Sequence, residues 1–358
     1  MKSHNKLKKE RDFNVEFKTE PLKLSFKCNI TKDSYAFSSS CLSLLDNTFT
    51  IFKSNFVNII YLIYANKNKS IISYNLIERK KINEIVNAHE NNITNFRYYL
   101  DIEQKRDLLI SISSDDRNLK LWNINNLECL IDLKNIYDIG SLYSGCFLNI
   151  NNELYIATCG SNISQPIKIF DFKGKIIKKI ESKLSSYIID SFYDDKLSKN
   201  YLITGNDSCC KSDVYQESII YKIYCDNDYS GHYNLIIHKI NDIYQLIDSG
   251  GDGYIRIWDF HLNKLIKKIY IDDNRLYGMC LWNSNYIFIG CLDTTIKILD
   301  INKDKIVKNL EGHKRFVLTM KKIFHPVYGE CLLSQGHEND QIKMWTNKFL
   351  ISHEILSL

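Results

Sequence analysis

The residues of this chain best equipped for chemistry are an aspartate and a histidine that accompany a tryptophan. Asp252 sits in the glycine-rich turn of GGDGYIRIWDF, residues 250–260, six residues before Trp258, and His232 precedes that turn. A carboxylate and an imidazole brought together can act as a general acid–base pair or as the orienting half of a nucleophilic triad. The same types recur as His89, Asp116 and Trp122, as His313 with Asn339 and Trp345, and as Asp293 without a histidine. An active site is normally built once, so a set repeated along a chain is expected to be scaffold.

Other chemistry is scarce. The sequence contains no nucleophile elbow, no phosphate-binding loop, no HExxH zinc pair and no kinase motif set, and GCLDTTIK and SGGDGYIR contain glycines without a lysine at the place a phosphate loop needs. His325 and His337 stand without partners at ligand spacing. Eleven cysteines, an odd number with no CxxC pair, argue for reduced and mostly buried thiols and against a disulfide framework or a zinc site. No metal and no cofactor is expected. The stretch GNDSCCKSDVYQES at 205–218 reads as a long connection carrying the vicinal pair Cys209–Cys210. Such a connection is either a partner contact with a redox-active thiol pair or a tolerated surface insertion.

Composition leaves the class open but removes several options. With 44% apolar and 25% charged residues and only three prolines among 358, the chain can bury a large core. The net charge of +5 is spread along the chain, which disfavours nucleic acid as a partner. MKSHNKLKKER at the start is basic without an apolar run behind it, unlike a signal peptide, and reads as a disordered arm over residues 1–12. The longest apolar stretch, FVNIIYLIY at 56–64, is too short to cross a bilayer. The expected compartment is the cytoplasm, with the nucleus as the alternative.

The elements that would position these residues repeat. SIISYNL ends on Tyr74-Asn75, LKLWNI carries Trp122, IKIFDF Phe170, SIIYKI Tyr221, IRIWDF Trp258, IKILDI Leu299 and IKMWTN Trp345, at separations of 48, 48, 51, 37, 41 and 46 residues. Each is a period-two strand with a large residue at one place, followed by a polar turn and a further strand. The period is that of a four-stranded propeller blade.

At this point the sequence resembles the WD-repeat β-propellers, from about residue 32 to the C-terminus. The resemblance rests on Gly231-His232 with Asp252 and Trp258, on Gly312-His313 with Asn339 and Trp345, and on Ala88-His89 with Asp116 and Trp122. It implies an all-β fold, one seven-bladed propeller of four-stranded antiparallel blades over residues 13–358. It also implies that Asp252, accepting from turn amides and from His232, forms a structural network with Trp258, and that His89, Asp116, Trp122, Asp293, His313 and Trp345 play like parts. The serine usual in such a network is expected to be missing, with Asp248, Ile112 and Ile289 in its slots. Ring closure has two readings: a strand from residues 13–30, or the tail KFLISHEILSL.

The resemblance further implies a non-catalytic scaffold that holds one or more proteins at the mouth of its channel. Positions facing that mouth are Phe316, Leu318 and Glu338 in the last repeat, Asn92, Thr94 and Asp115 in the second, and Arg275, Tyr277 and Leu292 in the sixth. Arg, Tyr and Phe tend to dominate interface energy. Phe316 and Tyr277 could equally plug the channel. Two further classes stand beside the scaffold: a substrate-recognition subunit of a ubiquitin ligase, disfavoured because WDFH, WNIN and WTNK lack an arginine two residues after Trp-Asp, and an enzyme with a channel site. Lysine clusters at 173–183, 263–270 and 302–309 read either as a basic rim or as protection of outer strand edges.

Overall fold

The alternation read from the sequence becomes strand burial. In Lys305–Leu310 the side chains run exposed, half-buried, exposed, half-buried, exposed, buried, whereas Tyr286–Cys291 is buried almost throughout. The first pattern suits a strand with one wet face at the edge of a sheet and the second a strand covered on both faces. The computed structural model describes residues 49–346 apart from 58, 66–68, 163, 182–184, 206–207, 214–217, 225–230, 241 and 338–341, with side chains left out over 206–230.

Among the described residues the strands form seven antiparallel sheets, each a simple meander in chain order, spanning 49–85, 95–133, 142–180, 188–224, 232–270, 276–310 and 317–346. They are called the first to seventh sheets below. The first strand of each sheet touches the first strand of the next, and that of the seventh touches that of the first, so these strands surround a central channel. Apolar clusters fill every gap between neighbouring sheets. Leu108, Leu119 and Ile156, for example, join the second and third, while Phe49, Leu62, Cys331 and Met344 join the first and seventh. The ring is therefore closed by packing between sheets, and the molecule is a β-propeller.

The expected seven four-stranded blades are corrected by the topology. Six sheets have four strands and the seventh has three among the described residues. Its third strand, Ile342–Thr346, is followed by residues outside the described part, as are both segments proposed to close the ring and the arm at 1–12.

A second correction concerns the fourth sheet. Its third strand is Ser208–Asp213, and SIIYKIY at 218–224 is the fourth, so the presumed long connection holds a strand of its own. In the other four-stranded sheets the pairing of third and fourth strands slips by one residue at the large position: Tyr74, Trp122, Phe170, Trp258 and Leu299. In the fourth the slip falls at Ser212. Counted to Ser212, the repeats on either side are 42 and 46 residues, more even than the 51 and 37 read through Tyr221. SCCKSD has no large apolar residue and no apolar alternation to mark it as a strand. The slip is a β-bulge, and a residue at positive φ follows in the turn: Arg79, Leu127, Gly174, Asn263 and Asp304.

Lysines of the sequence clusters lie on fourth strands, as in Ile176–Ile180, Lys264–Tyr270 and Lys305–Leu310. These strands are the unpaired outer edges, where a charged side chain discourages pairing with another chain. Among the described residues no helix is long and apolar enough to cross a membrane.

Candidate functional site

The repeated histidine and tryptophan do meet, through a residue on the second strand between them. In the second sheet His89 Nε2 lies 2.7 Å from Ser111 Oγ, and Trp122 Nε1 donates to the same oxygen at 2.8 Å. In the seventh, His313 Nε2 lies 2.6 Å from Ser334 Oγ and Trp345 Nε1 donates to it at 2.8 Å. The fifth sheet replaces the serine by Asp248: His232 Nδ1 is 3.0 Å from Oδ1, and Trp258 Nε1 donates to Oδ2 at 2.6 Å. Register explains the equivalence, because Ser111, Ser334 and Asp248 stand opposite Lys120, Lys343 and Arg256 on the third strand.

Two expectations change. The serine is present in two sheets, and the slot assigned to Ile112 belongs to Ser111. Successive strand residues face opposite ways, and Ile112 points into the core between the second and third sheets. Ile289 does occupy the slot in the sixth sheet, opposite Lys297. The turn aspartates, moreover, hold groups other than the histidines. Asp116 accepts from the backbone and side-chain amides of Asn91 at 2.8 and 2.5 Å. Asp252 accepts from Arg256 Nη1 at 3.2 Å and from the Tyr254 amide at 3.4 Å, with a second contact to Arg256 Nη2. Asp293 accepts from the Thr295 amide and hydroxyl at 2.9 and 2.7 Å and pairs with Lys297 at 3.1 Å. Asp252 and Asp293 thus hold an amide of their own turn and the strand cation four residues on, whereas Asp116 ties its turn to the loop at Asn91.

Burial decides what these trios can do. Ser111, Ser334 and Asp248 have no exposed surface. Each serine oxygen already meets an imidazole and an indole, so no substrate atom can approach it. Desolvation, aided by nearby Lys120, holds His89 down at about 3, and its Nδ1 has no partner among the described residues, so the ring is neutral at physiological pH. The fifth sheet carries more charge, with Arg256 2% exposed between Asp252 and Asp248, the latter 3.7 Å away. Buried groups of this kind are costly unless paired, and here every one is paired.

The candidate mouth positions separate by burial. Tyr277 and Leu318 are 4% and 7% exposed and pack with Tyr233, with Phe316 and Tyr187 against them. Ring centroids are 5.3 Å apart for Tyr233–Tyr277, 5.0 Å for Tyr277–Phe316 and 4.4 Å for Phe316–His337. This is a continuous aromatic collar across the fifth, sixth and seventh sheets. Arg275 and Leu292 are exposed beside it and Phe316 is half-buried. In the second sheet Asp115 is exposed, Asn92 is half-buried and Thr94 is buried, its hydroxyl 2.7 Å from Ser114 Oγ. Glu338 and Asn339 lie outside the described residues.

Below the collar the channel holds a cavity of about 310 Å³ lined by Arg97, Asp190, Cys280 and Lys321 among apolar neighbours. Its lining has one carboxylate and no histidine, and burial pushes the Cys280 thiol up to about 11, far from the thiolate. Asp272, Cys291 and Asp293 offer ligand atoms within 4.8 Å of one another. The Lys297 ammonium contacts both carboxylates and so takes the place a metal ion would need.

No family model matches the chain. It is 29% identical over 79 residues to the U3 small nucleolar RNA-associated protein 21 homolog of Schizosaccharomyces pombe, covering 22% of this chain and 8% of that protein. It is 29% identical over 72 residues to myosin heavy chain kinase C of Dictyostelium discoideum, 20% of this chain and 9% of that one. The WD repeat domain-containing protein 83 homolog of Dictyostelium discoideum is 26% identical over 114 residues, 32% of this chain and 33% of the relative. The matches thus span a third or less of the length of these relatives. With its closed ring of antiparallel sheets and its recurring histidine–serine–tryptophan contacts, the chain is a β-propeller that is similar, over part of its length, to a WD repeat domain-containing protein.

Proposed function

We propose that this propeller is a non-catalytic scaffold that holds other proteins in a complex, with the mouth between the sixth and seventh sheets as one contact surface. The observation that supports this most is the aromatic collar from Tyr233 to His337, a rigid floor with Arg275, Leu292 and part of Phe316 exposed at its edge. Rings already fixed by their neighbours lose little freedom on binding, so a few exposed anchors suffice. The three-stranded seventh sheet is, on this reading, a seventh blade of the ring. The buried networks carry no catalysis; they satisfy polar groups inside the sheets. A reduced intracellular compartment, cytoplasm or nucleus, fits the odd cysteine count.

Affinity purification from the native cell, comparing the wild type with the surface variant Arg275→Glu/Leu292→Asp, tests this. Loss of a reproducible set of proteins from a variant that melts like the wild type is the expected result. An unchanged set overturns the mouth assignment, and the absence of any stable partner overturns the scaffold.

A further inference from the structure

The face opposite the mouth carries a groove that none of the networks explains. By strand direction, the turns joining first to second and third to fourth strands emerge on this opposite face. Three such turns, at 101–106, 149–153 and 171–175, bound a hollow of about 660 Å³ between the second and third sheets. Its apolar floor is Tyr99, Leu154 and Phe172, each packed in part against the core joining these sheets. Tyr99 is fixed further by Phe147, at a centroid distance of 5.1 Å. Ile102 at the lip is 70% exposed, one of the most solvent-exposed large apolar side chains described.

The charge of the lining runs against that of the molecule. Four carboxylates, Asp101, Glu103, Glu153 and Asp171, face two cations, Arg106 and Lys173, in a chain whose net charge is +5. Arg106 is already engaged with Asp101 at 2.8 Å. Asp171 accepts the amides of Lys173 and Lys175 at 2.9 and 2.8 Å, which leaves its charge in place. Glu153 is contacted by the Tyr155 hydroxyl, a neutral donor, and Glu103 is exposed with no cation paired to it among the described residues. An acidic rim over an aromatic floor repels phosphate, so neither nucleic acid nor an anionic membrane fits. It attracts ammonium and guanidinium groups, whose alkyl stems lie well on aromatic faces.

We propose that this groove docks a short basic peptide segment of a partner protein, with an apolar side chain seated on Tyr99, Leu154 and Phe172 and flanking Lys or Arg side chains on Glu103 and Glu153. The site is independent of the mouth, so one propeller can join two partners on opposite faces.

The test is fluorescence anisotropy of the full chain with a fluorescein-labelled peptide Gly-Lys-Leu-Arg-Lys-Gly. Comparison peptides carry Glu in place of every cation, or Ala in place of Leu. The protein variants are Glu103→Lys/Glu153→Lys and the milder Glu103→Gln/Glu153→Gln, both of exposed side chains. Saturable binding is expected, weakened roughly tenfold or more by the charge-reversing pair and less by the neutral pair, and weakened as salt rises. Loss of the leucine is expected to weaken it as well. Absence of saturable binding to the wild type overturns the proposal, as does equal binding by the lysine variant or by the glutamate peptide. Arg275→Glu/Leu292→Asp serves as the control whose affinity for the peptide stays unchanged.

Discussion

The Trp258 indole donates to Asp248 at 2.6 Å where Trp122 and Trp345 donate to serines, so one sheet has put a carboxylate into a hydroxyl's place. The carboxylate also holds His232 and lies 3.7 Å from Arg256, itself paired with Asp252. Removing Asp248 leaves a buried imidazole, indole and guanidinium short of an acceptor. Asp248→Ala is expected to cost about 3–5 kcal/mol. Asp248→Ser restores the arrangement of the second and seventh sheets and leaves Asp252 to Arg256, so it should cost less. Urea titration of both variants checks the order; equal losses would show that the charge, and not the hydrogen bonds, is what the sheet requires.

Ser111 and Ser334 are alike in geometry, each buried between a histidine and a tryptophan. Their replacement by alanine is expected to destabilise by about 1–3 kcal/mol each. The two sites lie in sheets separated by the first, so the double variant should lose the sum of the singles. Thermal or denaturant melts of the three variants provide the comparison.

His89 gives stability a pH dependence. Held at about 3 against an ordinary 6.5, it takes up its proton in the unfolded chain first. The unfolded state therefore binds more protons between these values, and stability falls as pH drops below 6.5, by about 2 kcal/mol between pH 7 and pH 5 from this group alone. Burial lowers His238 and His325 too, in the same sense. Substituting His89 by Gln should flatten, without abolishing, the fall of stability measured by urea titration across that interval. A slope unchanged by the substitution would contradict the assignment.

Two glycines separate strain from collision. Gly253 has φ +80, and a Cβ there would lie 1.7 Å from the Asp272 carbonyl oxygen. Gly174 has φ +79 but would meet only the Leu133 side chain, at 3.1 Å. Gly174→Ala is expected to cost about 1–2 kcal/mol, the penalty of the left-handed conformation. Gly253→Ala must also move backbone, and a loss of about 3–5 kcal/mol is expected. Melting temperatures of the two alanine variants rank them directly.

How far the sequence reached depends on the range of the interaction being read. Period-two burial and a turn with a left-handed residue are local, so third strands at 71–75, 118–123, 254–259, 296–300 and 342–346 were legible from spacing alone. The strand Ser208–Asp213 was not, since its place is set by pairing with strands on both sides and not by its own polar residues. The repetition of histidine and tryptophan foretold a buried network, because a group that recurs in each repeat answers a need of the repeat.

Which atoms complete that network was a tertiary matter. Ser111 and Ile112 are neighbours in sequence, yet one meets His89 and Trp122 while the other enters the core of the next sheet. A shift of one residue in a strand exchanges its faces. Likewise, the sequence placed Tyr277, Leu318, Phe316 and Arg275 among its mouth-facing positions, and only closure of the ring divided them into two buried side chains, one half-buried and one exposed. The groove over Tyr99 and Phe172 is legible in no single repeat. It is made by turns of two sheets, and exists because the ring brings residues some seventy apart in the chain to one surface.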